Sequence, residues 1–137
     1  MDVDPKLAAF IRNILIGSPV ARSLGVEVEV LQVDRVILRM SFAPGHVTHG
    51  RVLHGGVIAT LIDIAGAAAS GSGASPEVKG GATSSLAISY LAPADGVDLV
   101  AEARIVQRGK SQTVADVEVR DAGGRAIAKA LLTSRLF

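Results

Sequence analysis

Cysteine and tryptophan are absent from this 137-residue chain, and its only aromatic side chains are three phenylalanines and one tyrosine. Without cysteine there is no disulfide, no thiolate metal site and no cysteine nucleophile, a composition that fits a cytoplasmic protein. So few aromatic rings leave little to stack on bases, and a net charge of +1 gives no electrostatic footprint for nucleic acid. The chain opens with Asp2 and Asp4, so no basic stretch leads into an apolar run and no signal peptide is expected. There is no internal repeat, linker or low-complexity segment.

What is present is apolar. Hydrophobic residues make up 49% and charged residues 20%, which excludes disorder and gives a single domain over 1–137 with enough chain for a real core. Residues 1–22 read as an N-terminal helical segment. Its helix spans 4–16, with Asp4 as N-cap, Pro5 in the first turn, and Leu7, Phe10, Ile11, Ile14 and Leu15 as an apolar stripe. Gly17 and Pro19 would end it.

From Gly25 the apolar period becomes two. Val26, Val28 and Val30 alternate with Glu27 and Glu29, and Val36, Leu38 and Met40 follow in the same rhythm, with Asp34-Arg35 as a hairpin turn. Residues 45–53 read as an irregular approach to a second helix at 54–70. A Gly- and Ser-rich loop covers 71–81. Four more alternating segments complete the chain, turning at Arg108-Gly109-Lys110 and at Asp121-Ala122-Gly123-Gly124. The expected class is α+β, a curled antiparallel sheet wrapped around one long central helix.

The helix at 54–70 is the organising stretch. It is apolar on every side, as a buried helix is. Seventeen residues approach the length of a membrane span, but the charged and Gly-rich flanks favour a core helix, so no membrane partner is expected. Two features interrupt it. His54-Gly55-Gly56 puts unpaired N–H groups and a partial positive charge where another group can come close, an arrangement that can hold an oxyanion. Asp63 is a lone carboxylate among apolar residues, and such a group needs partners or a purpose. His54 and Asp63 are nine residues apart, so they point to opposite faces of the helix and lie about 13.5 Å apart along its axis. They cannot act on one small group within one chain. If both are catalytic, two copies of the chain must share each site.

The run Val52-Leu53-His54-Gly55-Gly56-Val57-Ile58-Ala59-Thr60-Leu61-Ile62-Asp63 resembles the central motif of the hotdog-fold acyl-CoA thioesterases, the PaaI-like phenylacetate-pathway branch in particular. The segments Thr83–Ala94 and Val106–Ser111 resemble two further elements of that family. The resemblance implies hydrolysis of acyl-CoA to free acid and CoA in a dimer, and in a homotetramer built from dimers. It implies that the Gly55 amide polarises the thioester carbonyl, with His54 orienting the same region. Asp63 of the partner chain would be nucleophile or general base, and Thr83 would position the water or the carboxylate. Gly56 would border the substrate, and Arg108 and Lys110, with Lys79 and Arg51 as weaker candidates, would meet the phosphates of the coenzyme. The family usually has Asn or Gln six residues before the histidine; here that position is Thr48, so either His49 beside it takes over the contact through a loop shift or the site is built differently.

The alternatives are a non-catalytic acyl-CoA-binding module, or a hotdog dehydratase or hydratase, whose motif is not found here. His46, His49 and His54 lie close in sequence, but no carboxylate or cysteine joins them in that loop. No metal or other cofactor is expected.

Overall fold

The computed structural model of the protein describes residues 1–137. Its elements run in the order α1 (Pro5–Phe10), a π-helical turn (Ile11–Leu15), α2 (Pro19–Leu24), β1 (Val26–Gln32) and β2 (Arg35–Met40). A short 3-10 turn (Pro44–His46) and the small strands β3 (Val47–His49) and β4 (Val52–Leu53) lead into α3 (Gly55–Ser72). The strands β5 (Gly81–Tyr90), β6 (Leu99–Arg108), β7 (Gln112–Asp121) and β8 (Ala126–Leu136) complete the chain.

Six strands form one antiparallel sheet in the order β1-β2-β6-β7-β8-β5. It curls around α3. Leu61, Ile62, Ala65, Ala68 and Ala69 of the helix share one buried cluster with Val36, Leu38, Leu99, Ala101, Val117 and Val119 of the strands. Alternation sends the charged residues of the same strands to the outer face, where Lys129 Nζ lies 2.7 Å from Glu118 Oε1 and 3.3 Å from Asp116 Oδ2. The helix Gly55–Ser72 is long and apolar enough to cross a membrane by length and composition, yet half of it is buried inside the fold, as a core helix is.

Close approach of helix to sheet depends on Gly66. A Cβ there would lie 2.8 Å from Leu132 Cδ1, and Leu132 is fully buried. Alanine would gain about 1 kcal/mol of helix propensity. Overpacking against a side chain with nowhere to move costs about 1–3 kcal/mol and outweighs that gain. Gly66→Ala is therefore expected to lower the urea midpoint of unfolding with the m-value unchanged.

Four details differ from the sequence expectation. The single N-terminal helix becomes α1 plus a π-helical turn, and the chain then forms a second helix, α2, beginning at Pro19, which was expected only to end the first. Ser18 caps α2 by accepting from the Ala21 N–H, Pro19 occupies its first turn, and Gly25 ends it at φ 71°. Proline there starts a helix, because its missing N–H is one the first turn does not use. The helical segment consequently reaches Leu24 instead of residue 22. The first hairpin turns at Val33-Asp34, with Asp34 in the left-handed region (φ 66°), one residue before the expected turn. The approach to α3 contains the β3–β4 hairpin, and α3 itself runs two residues past Ser70.

Candidate active site

The N-terminus of α3 is built by His54. Its backbone is extended (φ −64°, ψ 134°), and its ring acts as the N-cap. The Gly56 N–H donates to His54 Nδ1 at 2.8 Å. A Cβ on Gly56 would lie 2.9 Å from that nitrogen, so only glycine lets the ring settle there. Because Nδ1 accepts, the neutral ring carries its proton on Nε2 and presents it outward as a donor. The Gly55 N–H, one residue earlier, makes no hydrogen bond within the chain. One committed amide and one free amide thus stand side by side at the positive end of the helix.

Tyr90, at the end of β5, completes this end. Its hydroxyl donates to the Gly55 carbonyl at 2.7 Å. The Gly55–Gly56 peptide is therefore held at both sides, its carbonyl by Tyr90 and its N–H by His54. Tyr90 lies within the Thr83–Ala94 segment but is not among the candidate residues that the sequence offers. The signal was that this is the chain's single tyrosine, placed just before Leu91-Ala92-Pro93.

Asp63 lies eight residues further along α3. The Thr83 hydroxyl, from the start of β5, donates to Asp63 Oδ1 at 2.6 Å. The pairing of Thr83 with the carboxylate is thus present in the fold. Gly55 and Asp63 are about 12 Å apart along the helix axis. A single chain thus keeps two groups of candidate residues apart, Gly55 with His54 and Tyr90 at one end of β5, and Asp63 with Thr83 at the other.

A cavity of about 290 Å³ opens beside Asp63 and Thr83. Leu7, Phe10 and Leu15 of the N-terminal segment form one wall, and Ala67 and Ser70 of α3 form another. It suits an apolar group of modest size.

The remaining candidates lie elsewhere. Thr48 sits on the exposed β3–β4 hairpin. Its hydroxyl is 3.4 Å from the Val52 carbonyl and 3.3 Å from His49 Nδ1, so within one chain neither Thr48 nor His49 meets Asp63. Arg108 lies at the far end of α3. Its guanidinium pairs with Asp34 at 2.7 Å and donates to the Ser70 and Ala69 carbonyls at 2.8 Å and 3.2 Å. It closes the C-terminal end of the helix, satisfying the Ser70 carbonyl and sharing the Ala69 carbonyl with the Ser72 hydroxyl, which donates to it at 2.7 Å. Lys110 is exposed in the β6–β7 turn, and Arg51 stacks over the Phe42 ring at 5.1 Å. No three His, Asp or Glu side chains converge to hold a metal ion.

Comparison with known proteins gives the family and the fold. The model of the thioesterase superfamily matches residues 50–128, more than half of the chain and the whole of α3. A protein of Saccharolobus solfataricus named as an esterase is 33% identical over 110 residues, covering 80% of this chain and 72% of its own. A solved thioesterase family protein from Silicibacter pomeroyi superposes with a TM-score of 0.89 at 28% identity, covering 96% of this chain and 98% of that one. The PaaI protein of the E. coli phenylacetic acid degradation operon superposes at 0.88 with 21% identity, covering 99% and 96%. A Streptococcus mutans protein solved bound to acetyl CoA superposes at 0.75 with 25% identity, covering 82% and 88%. With its helix wrapped in an antiparallel sheet and this match over its central motif, the chain belongs to the thioesterase superfamily and has the hotdog fold.

Proposed function

We propose that the protein hydrolyses acyl-CoA thioesters to free acid and CoA, in sites shared between two copies of the chain. The observation that carries this reading is the free Gly55 N–H at the head of α3 with the Asp63–Thr83 pair about 12 Å along the same helix. Reacting atoms need groups within about 3 Å, so the two half-sites serve one thioester only when they come from different subunits.

The edge strand supplies a way to join them. β5 pairs with β8 on one side and with no strand on the other, and Leu86 and Tyr90 along it are exposed. An open strand edge is a template for pairing. Thr83 and Tyr90 lie about equally far from the Leu86–Ala87 midpoint of β5. A two-fold axis there would bring Thr83 and Asp63 of one copy toward Tyr90 and Gly55 of the other. Two such dimers would associate as a homotetramer, in the cytoplasm.

In the shared site the Gly55 N–H would donate to the thioester carbonyl oxygen, and the His54 Nε2–H would approach the same oxygen. Asp63 of the other subunit would attack the carbonyl carbon or deprotonate a water that does so; both routes stay open. Charge developing on the carbonyl oxygen would fall on the helix N-terminus, and collapse of the tetrahedral species would break the C–S bond and release CoA, its thiolate taking up a proton; the water route leaves the free acid directly, and the attack route leaves an acyl–Asp63 anhydride that a water then hydrolyses. The cavity beside Asp63 would receive the acyl group. Lys110 is the better placed of the two basic candidates for the coenzyme phosphates, since the Arg108 guanidinium is committed to Asp34 and α3. The acetyl CoA in the Streptococcus mutans relative supports the ligand class.

The test is release of CoA, followed with a thiol-trapping dye, from acetyl-, hexanoyl-, phenylacetyl- and palmitoyl-CoA. Turnover of at least one supports the hydrolase. Binding of these thioesters with turnover of none would favour the non-catalytic module, for which the Thr48 hydroxyl, turned to its own hairpin, would be one cause.

A further inference from the structure

We infer that Ser134 and Thr113 are positioning residues for the Asp63 carboxylate, acting through Thr83 as a row of hydroxyls across three strands. This inference rests on the hydrolase reading above.

The row is set by the sheet register. Thr83 of β5 lies opposite Ser134 of β8, and Ser134 lies opposite Thr113 of β7. Directly opposed residues in an antiparallel sheet hold their side chains on one face, with Cβ atoms about 4.5–5.5 Å apart. Ser134 and Thr113 are both buried. Their hydroxyls are the row's unusual feature, since neither has a hydrogen-bond partner. A buried hydroxyl without a partner is costly, and alanine or valine would fit these positions without that cost. Their neighbours on the same strand faces are apolar: Ala115 and Val117 on β7, Ala130 and Leu132 on β8. Polarity enters this face of the two strands only at the Asp63 end, and Ser134 also lines the cavity that Asp63 and Thr83 share.

Thr83 spends its proton on Asp63 and keeps lone pairs to accept a bond. The row forms when Ser134 and Thr113 turn about χ1 so that Ser134 donates to Thr83, beside the bulge that follows it in β5, and Thr113 donates to Ser134. Every donor then points toward the carboxylate, and bonds in such a chain polarise one another. The row holds Thr83 in its donating orientation and keeps the carboxylate aimed while the substrate is bound.

The test uses steady-state hydrolysis of whichever of the four thioesters turns over best, with Ser134→Ala, Ser134→Thr, Thr113→Val and Thr83→Val. Ser134→Ala is expected to lower kcat about tenfold with KM within about twofold, and Ser134→Thr to restore most of the rate. In the Thr83→Val background Ser134→Ala should add nothing, because its effect passes through Thr83. Thr113→Val, close in shape, carries the same comparison if Ser134→Ala does not fold. Unchanged kcat in both variants would overturn the row. So would a tenfold loss that persists in the Thr83→Val background, which would mark a packing role. Full activity in Asp63→Asn would overturn the role given to Asp63 and the row with it, and no turnover of any thioester would overturn the hydrolase reading itself.

Discussion

Asp63→Asn should lower kcat by at least about a hundredfold while the fold and the dimer stay intact. The substitution is informative because so little else changes. Asparagine keeps the size of the side chain and an oxygen to accept the 2.6 Å bond from Thr83, so the contact that anchors Asp63 in the fold survives. What is lost is the charge and the ability to attack carbon or take a proton from water. A carboxylate retained only as a partner for Thr83 would tolerate the exchange. Thermal melting and sedimentation of the variant, beside its rate on the best thioester, separate the two cases.

Gly55→Pro should be nearly as damaging, by about 10²–10³ in kcat, through the opposite half of the site. Proline deletes the N–H left free at the head of α3 and is accepted in the first turn of a helix. His54 already has the extended backbone that a residue before proline adopts. A Cβ at position 55 would come within 3.4 Å of the Tyr90 ring, an exposed side chain that can yield. Mixing the two dead variants gives the sharper result. In a mixed dimer, one subunit offers an intact Gly55 and the other an intact Asp63, so one of its two sites is whole. After subunit exchange, half of the dimers are mixed and activity should return to about a quarter of wild type. No recovery, with exchange verified by mass, would rule out sites shared between subunits.

Much of this was legible in the sequence because it depends on periodicity and local capping. The two-residue alternation after Gly25 and the all-apolar run after His54 give the wrapped helix. The spacing of His54 and Asp63 gives the argument for two copies. What was hidden depends on contacts distant along the chain. Arg108 sits beside a turn, and its sequence neighbourhood offers it only as a candidate for the coenzyme phosphates. Its ties to Asp34, 74 residues away in sequence, and to the last carbonyls of α3 exist only once β6 is laid against the first hairpin. The Tyr90–Gly55 bond spans 35 residues and leaves no local trace. Pro19 was misjudged because proline both ends and begins helices, and only Ser18 and Gly25 around it show which it does here.

The cavity beside Asp63 has a consequence for how such a protein could diversify. One of its walls, Leu7, Phe10 and Leu15, comes from a segment that joins no strand of the sheet and lies outside residues 50–128, where the family match falls. The groups proposed for bond breaking ride on α3 and β5, where a single inserted residue would turn the helix by about 100° and separate the half-sites. On the proposed reading, the bond-breaking groups would be spaced by the helix and the acyl group chosen in part by this cover, which is itself tied into the core through Ile11, Ala21 and Leu24. Exchange of the first 24 residues between relatives would then trade substrate preference while leaving the bond-breaking step in place.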